Sequence, residues 1–307
     1  MTVHIPHPDL PPPSSSVGAV GWLRRNLFSS PINSLFTLLA VYVLYQLIPP
    51  LFNWALLDAN WVGNSKEACT NDGACWVFIR VRFNQFMFGF YPPSEYWRAI
   101  LAFLMLGALI LYLLIDGLPK KVWVAAFTIL GYPLAAYCLF YGGWFGLPVV
   151  ETYKWGGLML TLILSTVGMF FALPCGIVLA LGRQSSMPVA RSFSVIFIEL
   201  WRGVPLITVL FMSSVMLPLF MPENVRIDKL VRALIGISMF QSAYMAEVVR
   251  SGLQALPKGQ TEAADALGLS YWQSMYLIVL PQALKTVIPG IVNTFIELFK
   301  DTSLVMI

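Results

Sequence analysis

Seven apolar runs, each close to the length a bilayer demands, constrain this chain more than any other feature. A helix needs about 20 mostly apolar residues to cross the hydrocarbon. The runs are Leu35 to Leu51, Ile100 to Ile115, Val122 to Phe140, Leu158 to Leu181, Phe193 to Phe220, Leu230 to Val249 and Ala283 to Phe299. The fifth is interrupted near Arg202-Gly203-Val204-Pro205. Charged residues make up 11% of the chain, less than half of the roughly 25% of soluble domains. The reading is an all-α membrane protein with about seven transmembrane helices in a lipid bilayer.

Lysine and arginine in short loops set orientation. Arg24 and Arg25 precede the first run, Lys120 and Lys121 follow the second, Arg183 and Arg191 follow the fourth, and Arg250 and Lys258 follow the sixth. All four loops agree on a cytoplasmic N-terminus. The outside loop before the second run is the exception, with Lys66, Arg80, Arg82 and Arg98, but it is long and also carries Asp58, Glu67, Asp72 and Glu95. The net charge of +4 is too modest for a nucleic-acid partner.

Three segments follow. Residues 1–33 read as a disordered cytoplasmic tail, Pro-rich at its start and without the features of a signal peptide. Residues 34–152 read as an N-terminal extension with about three transmembrane helices and a periplasmic loop. Residues 153–307 read as a compact core. In that outside loop Cys69 and Cys75 flank an Asn71-Asp72-Gly73 turn. An oxidising periplasm permits a disulfide there, and two free thiols are the alternative. Gly168, Ala172, Gly176 and Ala180 place small residues on one face of the fourth helix for close packing, and Pro174 is expected to bend it.

The only histidines are His4 and His7, and no cysteine pair has metal-ligand spacing, so no metal site is expected. No HExxH, GxSxG or GxxxxGK[ST] occurs, which argues against an enzyme and against ATP bound by this chain.

The informative stretch is the long loop between the sixth and seventh runs. Glu262 to Leu267 is helix-forming with Thr261 as an N-cap. Gly268 suits the position after a helix. Ser270 and Gln273 fit a capping box, and Pro281 is expected to close or kink the second helix. Two short helices joined by a glycine elbow suit docking into a partner's groove. Ala263, Ala266 and Leu267 share one face of the first helix, and Glu262 and Asp265 another.

Glu262-Ala263-Ala264, then Gly268, Ile278, Leu280 and Pro281, at this spacing, resemble the loop motif of type I ABC importer permeases. Glu199 to Leu206, Ala243 to Gly252 and Lys300 to Leu304 resemble the polar amino acid branch of that family. The long N-terminal extension is similar to the M subunit of bacterial general L-amino acid transporters. The resemblance implies that the loop, with Gly259, Glu262, Ala263, Ala264, Asp265, Gly268, Ile278, Leu280 and Pro281, couples to a separate ABC ATPase subunit that binds the ATP. It implies a periplasmic amino-acid-binding protein, amino acid substrates, a second permease subunit (a paralogue, given the extension) and the bacterial inner membrane. A core of this type carries one more span after Lys300 to Leu304, so an eighth helix is expected and absent from the sequence. A chain ending there is expected to assemble poorly with its partners.

Glu199 and Arg202 lie three apart and are expected to pair. Arg202 is about 11 residues beyond Arg191, or ~16 Å along a straight helix. Charges at depth face a cavity or a partner, so Glu199, Arg202, Gly203 and Pro205 are candidate pathway residues, or a structural pair fixing the helix break. Glu247 and Arg250 read as a structural pair, and Glu297, Lys300 and Asp301 as an interfacial cluster. A secondary, ion-coupled amino acid transporter is the alternative function. It leaves the loop motif unexplained.

Overall fold

The computed structural model describes residues 18–70, 72–222 and 227–306. Two compact units divide at Phe83/Asn84. Among the described residues there is no strand, only two isolated bridges.

The first unit holds α1 (Gly18–Asn26) and α2 (Pro31–Phe52), which continues as a π-helical turn to Leu57. Of the segment expected as a disordered tail, Gly18–Asn26 forms α1, and residues 1–17, with both histidines, lie outside the described residues. Ser30 caps α2 by accepting the Asn33 N–H at 3.1 Å, and Pro31 occupies the first turn, where its missing N–H costs nothing. Among the described residues, no residue of α2 is fully buried. Beyond it, Cys69 and Cys75 are joined as a disulfide, and Gly73 backs so closely onto the Asp58 carbonyl that any side chain there would collide. The start of α3 (Trp76–Phe88) completes the unit, with Trp76 stacked on Trp61 at 5.6 Å.

The second unit begins with α4 (Tyr96–Leu114), α5 (Lys121–Ala126) and α6 (Tyr132–Tyr141). α7 (Gly157–Gln184), α8 (Pro188–Gly203), α9 (Leu206–Phe211) and α10 (Lys229–Ala255) form the main bundle. α11 (Gly259–Ala266), α12 (Tyr271–Ser274), α13 (Leu280–Thr286) and α14 (Ile288–Asp301) follow. Residues on the two sides of the expected 152/153 boundary are in contact. Phe140 packs on Trp155 at 5.6 Å, and Gly89 bridges Trp155. Arg98, expected in the outside loop, is fully buried. It donates to the carbonyls of Leu139 (2.6 Å) and Pro148 (3.0 Å) and to Glu95 (3.3 Å).

α7 and α10 pack through the small-residue face read from the sequence. Gly168, Ala172, Gly176 and Ala180 are all buried. A Cβ on Gly176 would lie 2.7 Å from Met245 and 3.0 Å from the Ala246 nitrogen. Pro174 does not interrupt α7. Three other prolines show how the backbone absorbs a missing donor. Pro133, Pro218 and Pro281 each follow a five-residue π-helical turn by two positions, and the residue before each proline donates to the carbonyl five back. The wider turn moves the carbonyl that the proline ring would strike. Pro281 therefore neither closes nor kinks its helix, which continues to Thr286; the 60° bend falls at Val287 instead.

Among the described residues, four helices are long and apolar enough to cross a membrane, or six if each of two bent pairs counts as one span. The expected sixth span, Leu230 to Val249, lies in α10. That helix has 27 residues but is not apolar enough to pass. Buried among α7, α8 and α13, it carries Gln241 and Ser242 inward where a lipid-facing helix would carry leucine.

Candidate functional site

The loop after α10 is a rigid elbow. Glu262 donates its N–H to the Lys258 carbonyl at 3.1 Å, so α11 starts at Gly259. The expected cap, Thr261, lies inside the first turn because Pro257 and Lys258 already supply the initiating carbonyls. At the other end Gly268 sits at φ +74°. Its N–H reaches the Asp265 carbonyl at 2.9 Å, and the Leu269 N–H reaches Ala264 at 3.2 Å. This pair of bonds is the Schellman closure that favours glycine. The next helix opens at once with Ser270 and Gln273 in a capping box, the Ser270 N–H donating to Gln273 Oε1 at 2.9 Å. Gln282 donates to Gln260 at 3.1 Å and ties α11 back to α13.

Ala264 is the buried residue of α11, while Ala263, Ala266 and Leu267 point outward with Glu262 and Asp265. Leu267 and Trp272 are 77% and 69% exposed at the elbow, and Tyr271 lies edge-on to Trp272 at 5.4 Å. Ile278 and Leu280 are half-buried and Pro281 exposed. The elbow thus offers an apolar tip flanked by two carboxylates.

A charged cluster joins three helices at the loop end of the bundle. Arg183, in the last turn of α7, places Nη1 2.6 Å from Glu247 Oε1 and Nη2 3.0 Å from Glu199 Oε1. Arg250 holds the other Glu247 oxygen at 2.7 Å, the local pair expected from the sequence. Glu199 and Arg202 do not pair with each other. Arg183 takes Glu199, and Arg202 lies 3.8 Å from Glu247 and over the Tyr244 ring at 5.5 Å. Gly182 of α7 backs onto Ser194 of α8, so α8 passes the end of α7. Glu199 meets Arg183 in the last turn of α7. Gly203 and Pro205 form the joint where α8 and α9 meet at 100°.

Two of the cavities among the described residues open in the bundle. One of about 700 Å³ is apolar, walled by α7, α8 and α10 through residues such as Phe171, Val178, Phe197 and Met239. The other, about 250 Å³, is polar and lined by Phe240, Gln241, Tyr244, Glu297, Lys300 and Asp301. Glu297, Lys300 and Asp301, expected as an interfacial cluster, thus share a cavity wall with α10. Of the expected pathway residues, none lines this cavity; Arg202 touches it through Tyr244. Arg183, Gln241 and Tyr244 went unnoticed as site residues in the sequence, because their partners lie tens of positions away.

A multi-helix core with apolar helices of membrane-spanning length, a cavity lined by charged side chains and an exposed, rigid elbow at one end are the features this chain presents. Comparison with known proteins gives the family. Residues 172–307 match the model of the binding-protein-dependent transport system inner membrane component. The chain is 59% identical over 306 residues to the Escherichia coli K12 inner membrane amino-acid ABC transporter permease protein YhdY, covering 99% of this chain and 83% of that one. It is 40% identical over 364 residues to the Rhodobacter capsulatus glutamate/glutamine/aspartate/asparagine transport system permease protein BztC, covering 96% and 83%. A crystal structure of an amino acid ABC transporter with histidines aligns over 49% of this chain and 69% of that one, at 31% identity and a TM-score of 0.44. The chain belongs to the amino-acid ABC transporter permeases. It is the permease subunit of an ABC importer, a transport component of the membrane, and nothing favours the secondary transporter.

Proposed function

We propose that this permease moves amino acids inward across the bacterial inner membrane, with its N-terminus cytoplasmic and ATP bound and hydrolysed by a separate ABC ATPase subunit. The ATPase docks on the elbow from Gly259 to Pro281. A periplasmic amino-acid-binding protein delivers the substrate, and a second permease subunit, a paralogue, completes the path. The observation that carries this reading is the elbow itself: two helix ends closed back to back by Gly268 and Ser270, with Leu267 and Trp272 left bare. Rigid apolar surface flanked by charge is what a groove on a partner recognises.

The polar cavity supports amino acids as substrates. Lys300 offers a cation for a carboxylate, and Glu297 and Asp301 offer carboxylates for an ammonium group. Buried Arg98 supports the orientation, because it removes one cation from the outside loop that ran against the positive-inside pattern.

The test is uptake of radiolabelled amino acids into proteoliposomes holding the full complex. Uptake that needs ATP and the ATPase subunit is expected. Uptake that persists without the ATPase, driven by an ion gradient, overturns the reading.

A further inference from the structure

We propose that the Arg183–Glu247–Glu199 cluster is a latch through which movement of the elbow reaches the α8–α9 joint, with Arg183 as its positioning residue. The proposal rests on the reading that the elbow docks on the ATPase.

The connectivity is direct. Glu247 sits on α10, and α10 ends at Ala255, four residues before α11 begins. Force on the elbow therefore acts on the helix that bears Glu247. One carboxylate oxygen of Glu247 takes Arg183 at 2.6 Å, and the other takes Arg250 at 2.7 Å and 2.8 Å. Arg183 uses the second arm of the same guanidinium for Glu199 on α8, at 3.0 Å. Glu199 lies one turn before Gly203, where the chain swings through 100° into α9 and where Gly203 has open space around it. A planar fork that grips a carboxylate with each arm makes α8 follow α10.

The charges do not balance locally. Three guanidiniums (Arg183, Arg202, Arg250) face two carboxylates (Glu199, Glu247), and Arg202 is the one held loosely, at 3.8 Å. It leans on Tyr244, a wall of the polar cavity. The latch has a firm half on α7 and α10 and a loose half at the joint. That asymmetry lets the joint open while the helices stay together.

The experiment uses the full complex in proteoliposomes and measures ATP hydrolysed per amino acid taken up, with ATPase retention scored by co-purification. Arg183→Gln is expected to raise that ratio about tenfold, within the usual range of site-to-site coupling. Glu199→Gln is expected to do the same, and the double variant to be no worse than either, since both remove one link. Arg183→Lys is expected to stay defective, because an ammonium group lacks the two-armed geometry. Glu199 is 57% exposed, so its substitution strands no buried charge and the fold stands. A normal ratio in Arg183→Gln or Glu199→Gln, or effects that multiply in the double variant, overturns the latch. Glu262→Arg separates the two readings. If it abolishes ATPase retention while Arg183→Gln leaves the ratio unchanged, the latch alone falls; if it leaves retention intact, the docking reading falls with it.

Discussion

The Leu269 N–H reaches the Ala264 carbonyl at 3.2 Å, across a Gly268 held at φ +74°. The left-handed backbone between them turns one helix end into the start of the next. An L-residue with a branched side chain pays about 1–2 kcal/mol there. Gly268→Val is therefore expected to loosen the elbow and weaken retention of the ATPase, whereas Gly268→Asn, which tolerates this conformation better, keeps most of it. Co-purification of the ATPase with each variant checks this.

Arg98 is fully buried, with three hydrogen-bonding partners on Leu139, Pro148 and Glu95. Arg98→Met removes a cation that ties the start of α4 to the end of α6. Breaking such a buried arrangement from one side costs about 3–5 kcal/mol. A clear fall in melting temperature of the purified protein in detergent is expected, and an unchanged melting temperature would show that the buried guanidinium contributes nothing to stability.

Gly176 has no room for a side chain, with Met245 and the Ala246 backbone against it. Gly176→Val is expected to push α7 from α10, at about 1–3 kcal/mol for an overpacked core. Gly203→Ala makes the contrast, since nothing lies within 4 Å of that position. Thermal denaturation of the two variants side by side separates a packing effect from a general intolerance of glycine substitution.

Lys300→Met and Asp301→Asn alter the polar cavity without touching the elbow. Uptake is expected to fall at least tenfold, on the order of one lost charged contact, while the ATPase stays bound. Measured uptake at native levels in both variants would remove this cavity from the path.

Local pattern made much of this molecule legible. The capping box at Ser270 and Gln273, the terminal Gly268 and the small-residue face of α7 all depend on neighbours within a few positions, so residue order specifies them. The α8 pairing did not follow from spacing, because Arg183 from another helix outcompetes the local Arg202 for Glu199. The burial of Arg98 was not legible either, because it depends on the carbonyls of Leu139 and Pro148, some 41 and 50 positions away. α10 was read as an ordinary span from its apolar residues, yet its inward polar side chains reflect contact with other helices instead of lipid.

The measurement that bears most directly on the account is ATP-driven amino acid uptake by the full complex carrying Glu262→Arg, beside the unaltered protein. Glu262 is exposed on the elbow. The expected result is loss of both ATPase retention and uptake, with the melting temperature of the permease unchanged. Native uptake with the ATPase still bound would contradict the claim that this elbow is where the permease is driven.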